Sequence, residues 1–242
     1  MYVHELPDAE SHTNGSGCAV GRRLEQQVAR HVAAISTVQK LAPGRSLFSE
    51  GDRAEHVFEV IHGTLRLYKL LSDGRRQITG FLSSDRLLGL ANEGLYLYTA
   101  EAITEVALRR YSRTGFTRLA DQVPSFARRL ITLTTNELCA AQDQMLLLGR
   151  KTAVEKVASF LLQRANEHGT DCRRSVQIPM TRSDIADYLG LTIETVSRTF
   201  TRLRHEGMID LPSSSCVKIL DRDQLERFAA GEGPTPRGRP AR

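Results

Sequence analysis

The stretch Thr181-Arg-Ser-Asp-Ile-Ala-Asp-Tyr-Leu-Gly-Leu-Thr-Ile-Glu-Thr-Val-Ser-Arg-Thr-Phe-Thr-Arg-Leu203 decides the fold. Thr181 and Asp184 form a capping-box-like start. Ile185 and Leu189 turn one apolar face inward, and Ala186 is small where a second helix must cross closely. Gly190 ends the first helix and permits a sharp turn. Thr192 caps the next helix, whose Val196 and Leu203 point back to the core. This spacing predicts a helix-turn-helix whose second helix can enter the major groove of DNA. On that helix Glu194, Ser197 and Arg198 stand at i, i+3 and i+4 and so share one face near the N-terminal end. A carboxylate accepts from cytosine N4, a guanidinium forks onto guanine O6 and N7, and a hydroxyl serves several bases. These three are the expected base readers. Arg182, Thr195, Arg202 and Arg204 are expected at phosphates, which give affinity without sequence reading, with Thr192 and Ile193 flanking them. Glu194 and Arg198 can also pair with each other, as on any solvated helix.

Outward from this core the pattern predicts a helix over 153–167, a strand over 175–179 and a hairpin over 208–220. Together these make a winged helix-turn-helix unit spanning 153–228, preceded by a hinge at 149–152 and followed by a Gly/Pro/Arg-rich disordered tail, 229–242. Residues 1–148 carry 17 Lys+Arg and 16 Asp+Glu, a balance of +1; residues 149–242 carry 16 and 12, a balance of +4. A basic C-terminal third suits a nucleic-acid partner.

From 125 to 148 there is no Gly or Pro. Ile131, Leu138 and Met145 stand seven apart, as do Thr134, Ala141 and Leu148, offset by three. Two readings remain open, a helix packed on its own domain and a seam with a second copy; the pattern favours the homodimer seam. Between 41 and 111 short β-branched and aromatic segments alternate with turn signals at Pro43-Gly44, Glu50-Gly51-Asp52, His62-Gly63 and Ser72-Asp73-Gly74, the texture of an all-β sandwich or barrel. Leu65, Leu67 and Leu70 read as a strand entering a hairpin. Leu24, Val28, Val32, Ile35 and Val38 follow a helical period, after a polar arm expected to be mobile over 1–23. The expected fold class is therefore α+β, with a β domain over 24–123, a long helix over 124–148 and the winged unit.

The chain has 242 residues, 40% hydrophobic and 25% charged, which excludes a collagen-like or wholly disordered protein. No apolar run approaches the roughly 20 residues of a membrane span, and the first residues lack a secretory pattern. Four cysteines (18, 139, 172 and 216) form no close pair, which suits a reducing cytoplasm. No GxSxG or P-loop points to an enzyme.

The sequence resembles the CRP/FNR superfamily of bacterial transcription regulators, in particular its FixK-like branch. The resemblance rests on Pro43-Gly-Arg-Ser-Leu-Phe-Ser-Glu-Gly-Asp52, Phe58-Glu-Val-Ile-His-Gly63, Ser72-Asp-Gly-Arg-Arg-Gln-Ile-Thr-Gly-Phe81 and Ile193-Glu-Thr-Val-Ser-Arg198. It implies a cupin-like, cyclic-nucleotide-binding-like β-roll, a dimerisation helix and a winged helix-turn-helix that binds double-stranded DNA. It also implies contact with RNA polymerase through a surface around Ile78, Thr79, Gly80 and Asp85, and a role in low-oxygen respiration and nitrogen-fixation genes. Cyclic-AMP receptors carry Arg-Glu-Thr-Val-Gly-Arg in the recognition helix. Here Ile193 and Ser197 replace the first Arg and the Gly, which implies an inverted repeat of TTGA…TCAA type. Thr199 departs from the larger apolar residue usual in such a motif, leaving Phe200 to compensate or the helix to pack differently.

The phosphate-binding Arg-Ser or Arg-Thr pair of cyclic-AMP receptors has no counterpart in residues 88–101, where Glu93 and Glu101 would repel a phosphate. Cyclic-nucleotide binding is not expected. Cys18 and Cys139 fall short of the four ligands of an iron–sulfur cluster, and the seven histidines show no metal spacing. No cofactor is expected. The sensor domain is thus expected to work without an effector; the alternative is a β-roll receptor whose small ligand controls DNA binding. Cys172 and Cys216 flank the DNA-binding unit and are the candidate redox-sensitive thiols, with inert thiols as the plainer reading.

Overall fold

The computed structural model describes residues 35–90, 94–167 and 175–232. The expected arm (1–23), Glu93, Cys18, Cys172 and the tail from 233 onward lie outside the described residues.

Among the described residues eight strands build the N-terminal domain: β1 (Ser36–Leu41), β2 (Ser46–Phe48), β3 (His56–His62), β4 (Leu65–Leu70), β5 (Arg76–Leu82), β6 (Leu87–Leu88), β7 (Thr99–Ala102) and β8 (Val106–Ser112). They form two four-stranded antiparallel sheets, β1-β8-β3-β6 and β2-β7-β4-β5. Alternation explains the layering: Leu65 and Leu67 of β4 and Val106 and Leu108 of β8 face inward, while their neighbours along the strand are more exposed. Phe48, Phe58, Leu82, Leu88 and Ala100 complete the apolar filling between the sheets. Gly63 turns the chain between β3 and β4 at φ +93; a Cβ there would stand 2.3 Å from the Glu105 carbonyl oxygen, so only glycine fits.

The helical period expected from Leu24 does not extend to Val38; Leu24, Val28 and Val32 lie outside the described residues. Val38 is 67% exposed and lies in strand β1, paired with Arg109 of β8. The backbone pairing offered by β8 overrides a spacing that is compatible with either structure.

Helix α1 (Arg113–Gln122), whose Gly115 N–H is capped by Ser112, leads into α2 (Pro124–Arg150). At 1.5 Å per residue α2 is about 40 Å long. It runs through Gly149, so the break after it is Lys151–Thr152, shorter than the expected 149–152. Then come α3 (Ala153–Glu167), β9 (Ser175–Gln177), α4 (Arg182–Leu189), α5 (Ile193–His205), β10 (Ile209–Ser213), β11 (Cys216–Ile219) and α6 (Arg222–Ala230). Strands β10, β11 and β9 form the wing sheet. Helix α6 extends past 228, and Ala229 is buried against the domain core, so it belongs to this unit and not to the tail.

Glu59 of β3 ties the β-roll to α2. Its carboxylate accepts from the Tyr111 hydroxyl (2.7 Å), Arg109 (2.7 Å) and Arg129 of α2 (2.9 Å). Burial pushes the carboxyl pKa up, but these donors and positive charges outweigh it and hold it below the usual range.

Candidate nucleic-acid interface

Helix α4 begins with a full capping box. The Asp184 amide donates to Thr181 Oγ1 (3.1 Å), and the Thr181 amide and hydroxyl donate to Asp184 Oδ2 (3.0 and 2.7 Å). Gly190 ends the helix in the left-handed region at φ +62, as the sequence required. Thr192 then caps α5 by accepting from the Thr195 amide at 3.2 Å.

On α5, Val196, Thr199, Phe200 and Leu203 are buried and define the inner face. The opposite face presents Glu194, Ser197 and Arg198 to solvent near the N-terminus, where the sequence placed them. Thr201 and His205 continue the same exposed face. Sequence reasoning passed over both, although Thr201 stands four after Ser197 and three after Arg198, and His205 four after Thr201. Glu194 and Arg198 form no ion pair: among the described residues no salt bridge joins them. The Glu194 carboxyl is held below the usual range by its own backbone N–H and the Thr192 hydroxyl, with the Arg198 charge contributing. Arg198 is thus left with its fork unspent.

The flanking residues divide. Arg182 lies with its guanidinium carbon 3.4 Å from the centre of the Phe200 ring, and burial lowers its pKa. Arg202 pairs with Glu206 on its own helix (2.8 Å) and sits 5.9 Å from the Phe228 ring. Thr192 and Ile193 are exposed at the tip of the helix, Thr195 is half-buried beside them, and Arg204 is exposed further along. Thr199 is accommodated by donating its hydroxyl to the Thr195 carbonyl (2.8 Å), and the neighbouring Phe200 fills the core. Cys216 opens β11 half-buried, its Sγ 3.0 Å from Ser175 Oγ.

Two expectations need correction. Ile78 is fully buried: it lies in the core of the DNA-binding unit, where Phe81 packs against Tyr188 and Phe160. It therefore offers no surface to polymerase. Thr79 and Asp85 are exposed and Gly80 is half-buried. Leu148 is also turned to its own chain, half-buried against the same core beside Gly190. The rest of the stripe on α2 is open: Ile131, Leu138 and Met145 are 65%, 60% and 66% exposed, and Thr134 and Ala141 are exposed between them.

Glu101, expected to repel a phosphate, is neutralised from the facing strand: Arg66 donates to it at 2.5 Å. That arginine's other terminal nitrogen is held by Asp184.

A winged helix-turn-helix carried on a β-roll and a long helix defines a DNA-binding transcription regulator and not an enzyme. Residues 155–228 match the Crp-like helix-turn-helix domain and residues 38–123 the cyclic nucleotide-binding domain. The chain is 43% identical over 209 residues to the transcriptional activatory protein AadR of Rhodopseudomonas palustris, covering 85% of this chain and 83% of that one. It is 41% identical over 230 residues to the nitrogen fixation regulation protein FixK of Azorhizobium caulinodans, covering 94% and 92%. The fold matches the structure of FixK2 from Bradyrhizobium japonicum with a TM-score of 0.75 at 37% identity, over 80% of this chain and 97% of that one. The chain belongs to the CRP/FNR family, in its FixK-like branch, and is a transcriptional activator of that type.

Proposed function

We propose that two copies of the chain pair along α2 and lay their α5 helices into successive major grooves of an inverted repeat of TTGA…TCAA type. The single observation that carries this reading is the exposed face of Glu194, Ser197 and Arg198 at the N-terminal end of α5, backed by a buried opposite face. Arg198, without an ion-pair partner among the described residues, forks onto the guanine, and Glu194 accepts from the paired cytosine. Ile193 is 47% exposed at the helix tip, and an apolar group there favours a thymine methyl over a guanine. The open stripe Ile131, Leu138 and Met145, at heptad spacing, supports the pairing of copies.

The regulator works in the cytoplasm without a small-molecule effector. Arg66, the basic side chain beside Glu101, is already committed to two carboxylates and is not free for a phosphate. Activation proceeds through RNA polymerase, with Thr79 and Asp85 as the exposed part of the contacting surface. By analogy with the similar nitrogen fixation regulation protein FixK, the controlled genes serve nitrogen fixation, together with the low-oxygen respiration that the family resemblance implies.

Purified protein with no additive, titrated into a TTGA…TCAA duplex and run in parallel on an analytical ultracentrifuge, tests this reading. Nanomolar binding by a two-copy species supports it. A monomer, or binding that begins only when an effector is added, contradicts it.

A further inference from the structure

Helix α4, the first of the helix-turn-helix, is gripped by side chains from four other elements. Its last-turn carbonyls have no helical amide to accept from. Gln77 of β5 donates to the Asp187 carbonyl (2.7 Å), Gln144 of α2 to that of Tyr188 (3.0 Å), and Lys156 of α3 to that of Leu189 (3.1 Å). The β4–β5 hairpin supplies the rest. Asp184, only 1% exposed, spends Oδ2 on the capping box and accepts at Oδ1 from Arg66 of β4 and Arg76 of β5, each at 2.8 Å. Arg76 also holds Asp187, with Nε at 2.9 Å and Nη2 at 2.7 Å. Ile78 and Phe81 of β5 are buried beneath this polar cluster.

The link from α2 to α3 is only Lys151 and Thr152, and a short link is a natural pivot. A turn of about 10° there, carried along an arm the length of α3 (about 22 Å at 1.5 Å per residue), displaces the reading helix by about 4 Å, close to the rise of one base pair. The orientation of α4 therefore decides which spacing between half-sites a paired protein can match.

We propose that the β4–β5 hairpin is a spacing gauge: through Arg66 and Arg76 it fixes α4, and these arginines act as positioning residues that determine the half-site separation the regulator accepts. The proposal rests on the paired-operator reading above. It assigns the β-roll a mechanical role in specificity that needs no ligand. Because neither arginine lies on α5, their removal leaves the base-reading face unaltered and affects only where that face is held.

The test uses the full chain and three duplexes that differ only in spacer: the preferred one, one base pair shorter and one longer. Four proteins are compared: wild type, Arg76→Ala, the charge-conserving Arg76→Lys, and the control Arg75→Ala, whose partner Asp73 sits in the exposed hairpin turn. We expect Arg76→Ala to reduce the preference for the best spacer by about tenfold, the size expected for loss of a charge-assisted hydrogen-bond cluster. Arg76→Lys, which keeps a cation beside Asp184 and Asp187, restores most of the preference, and Arg75→Ala matches wild type. Arg76→Ala with the wild-type ratio, or with equal loss on all three duplexes, overturns the proposal. Hydrogen exchange on the DNA-free protein provides a second arm. Amides of α4 and β5 exchange faster together in Arg76→Ala than in Arg75→Ala, and unchanged rates overturn the gauge whatever the duplexes show. Wild-type protein with no spacing preference overturns the paired-operator reading and the gauge together, whereas a wild-type preference kept by Arg76→Ala overturns the gauge alone.

Discussion

The guanidinium carbon of Arg182 stands over the Phe200 ring, 3.4 Å from its centre, and so joins the first turn of α4 to the middle of α5. The contact holds a half-buried cation beside the inner face of α5, where a phosphate is its expected partner. Arg182→Ala is expected to weaken binding to operator and random duplexes alike and to lower the slope of log K against log salt by about 1. Arg182→Lys should keep the slope and lose only the stacking. A slope unchanged in Arg182→Ala shows that the residue is packing alone. The measurement is a salt titration of affinity by fluorescence anisotropy.

Replacing Ile193 with Arg and Ser197 with Gly rebuilds the Arg-Glu-Thr-Val-Gly-Arg run. The double variant should shift preference from TTGA toward GTGA half-sites, since the new guanidinium forks onto a guanine where Ile193 offered only apolar contact. About 1–3 kcal/mol of discrimination at that base pair is at stake. Competition between the two duplexes reads it, and a double variant that still prefers TTGA removes Ile193 and Ser197 from the specificity assignment.

Leu138→Glu places a charge in the centre of the open stripe on α2. Since Leu138 is exposed within one chain, the variant should keep its circular-dichroism spectrum yet sediment as a monomer and lose most operator affinity. Unaltered sedimentation rules out this face as the seam.

Glu59 makes stability depend on pH in a defined direction. Its folded pKa lies below the usual carboxylate value, so the stabilisation is complete above that value and is lost as pH falls through the folded one. Glu59→Gln should cost about 1–3 kcal/mol at neutral pH, and the gap to wild type should close progressively below about pH 4. Denaturant melts at pH 7, 5 and 3.5 measure it, and a gap independent of pH contradicts the ionised role of Glu59.

The helix-turn-helix was legible because its determinants are local. Thr181 with Asp184, Gly190, and Thr192 with Thr195 act within a few residues of each other, and the periodicity of Val196 and Leu203 marks the buried face directly. The turn signals of the β-roll were legible for the same reason. What spacing could not show is contact across the chain. Arg66 and Asp184 are 118 positions apart, and neither carries a mark of its partner. The same blindness placed Ile78 on an outer surface: alternation says that one face of β5 is buried, not that a second domain covers it. Leu148 fits the heptad as well as Met145 does, and only the packing of α4 against the end of α2 decides that it faces inward. Val38 continued a helical period by coincidence of spacing, and its pairing with Arg109 made it a strand residue.

The central claim is that Arg198 of α5 reads the guanine of each half-site. It is tested most directly by a two-by-two set of affinities, wild type and Arg198→Ala against TTGA…TCAA and against the same duplex with both guanine–cytosine pairs replaced. The account predicts a loss of about 1–3 kcal/mol for Arg198→Ala on the intact operator, and almost no further loss once the guanine is gone. Equal losses on both duplexes would show that Arg198 contacts the backbone only and would contradict the account.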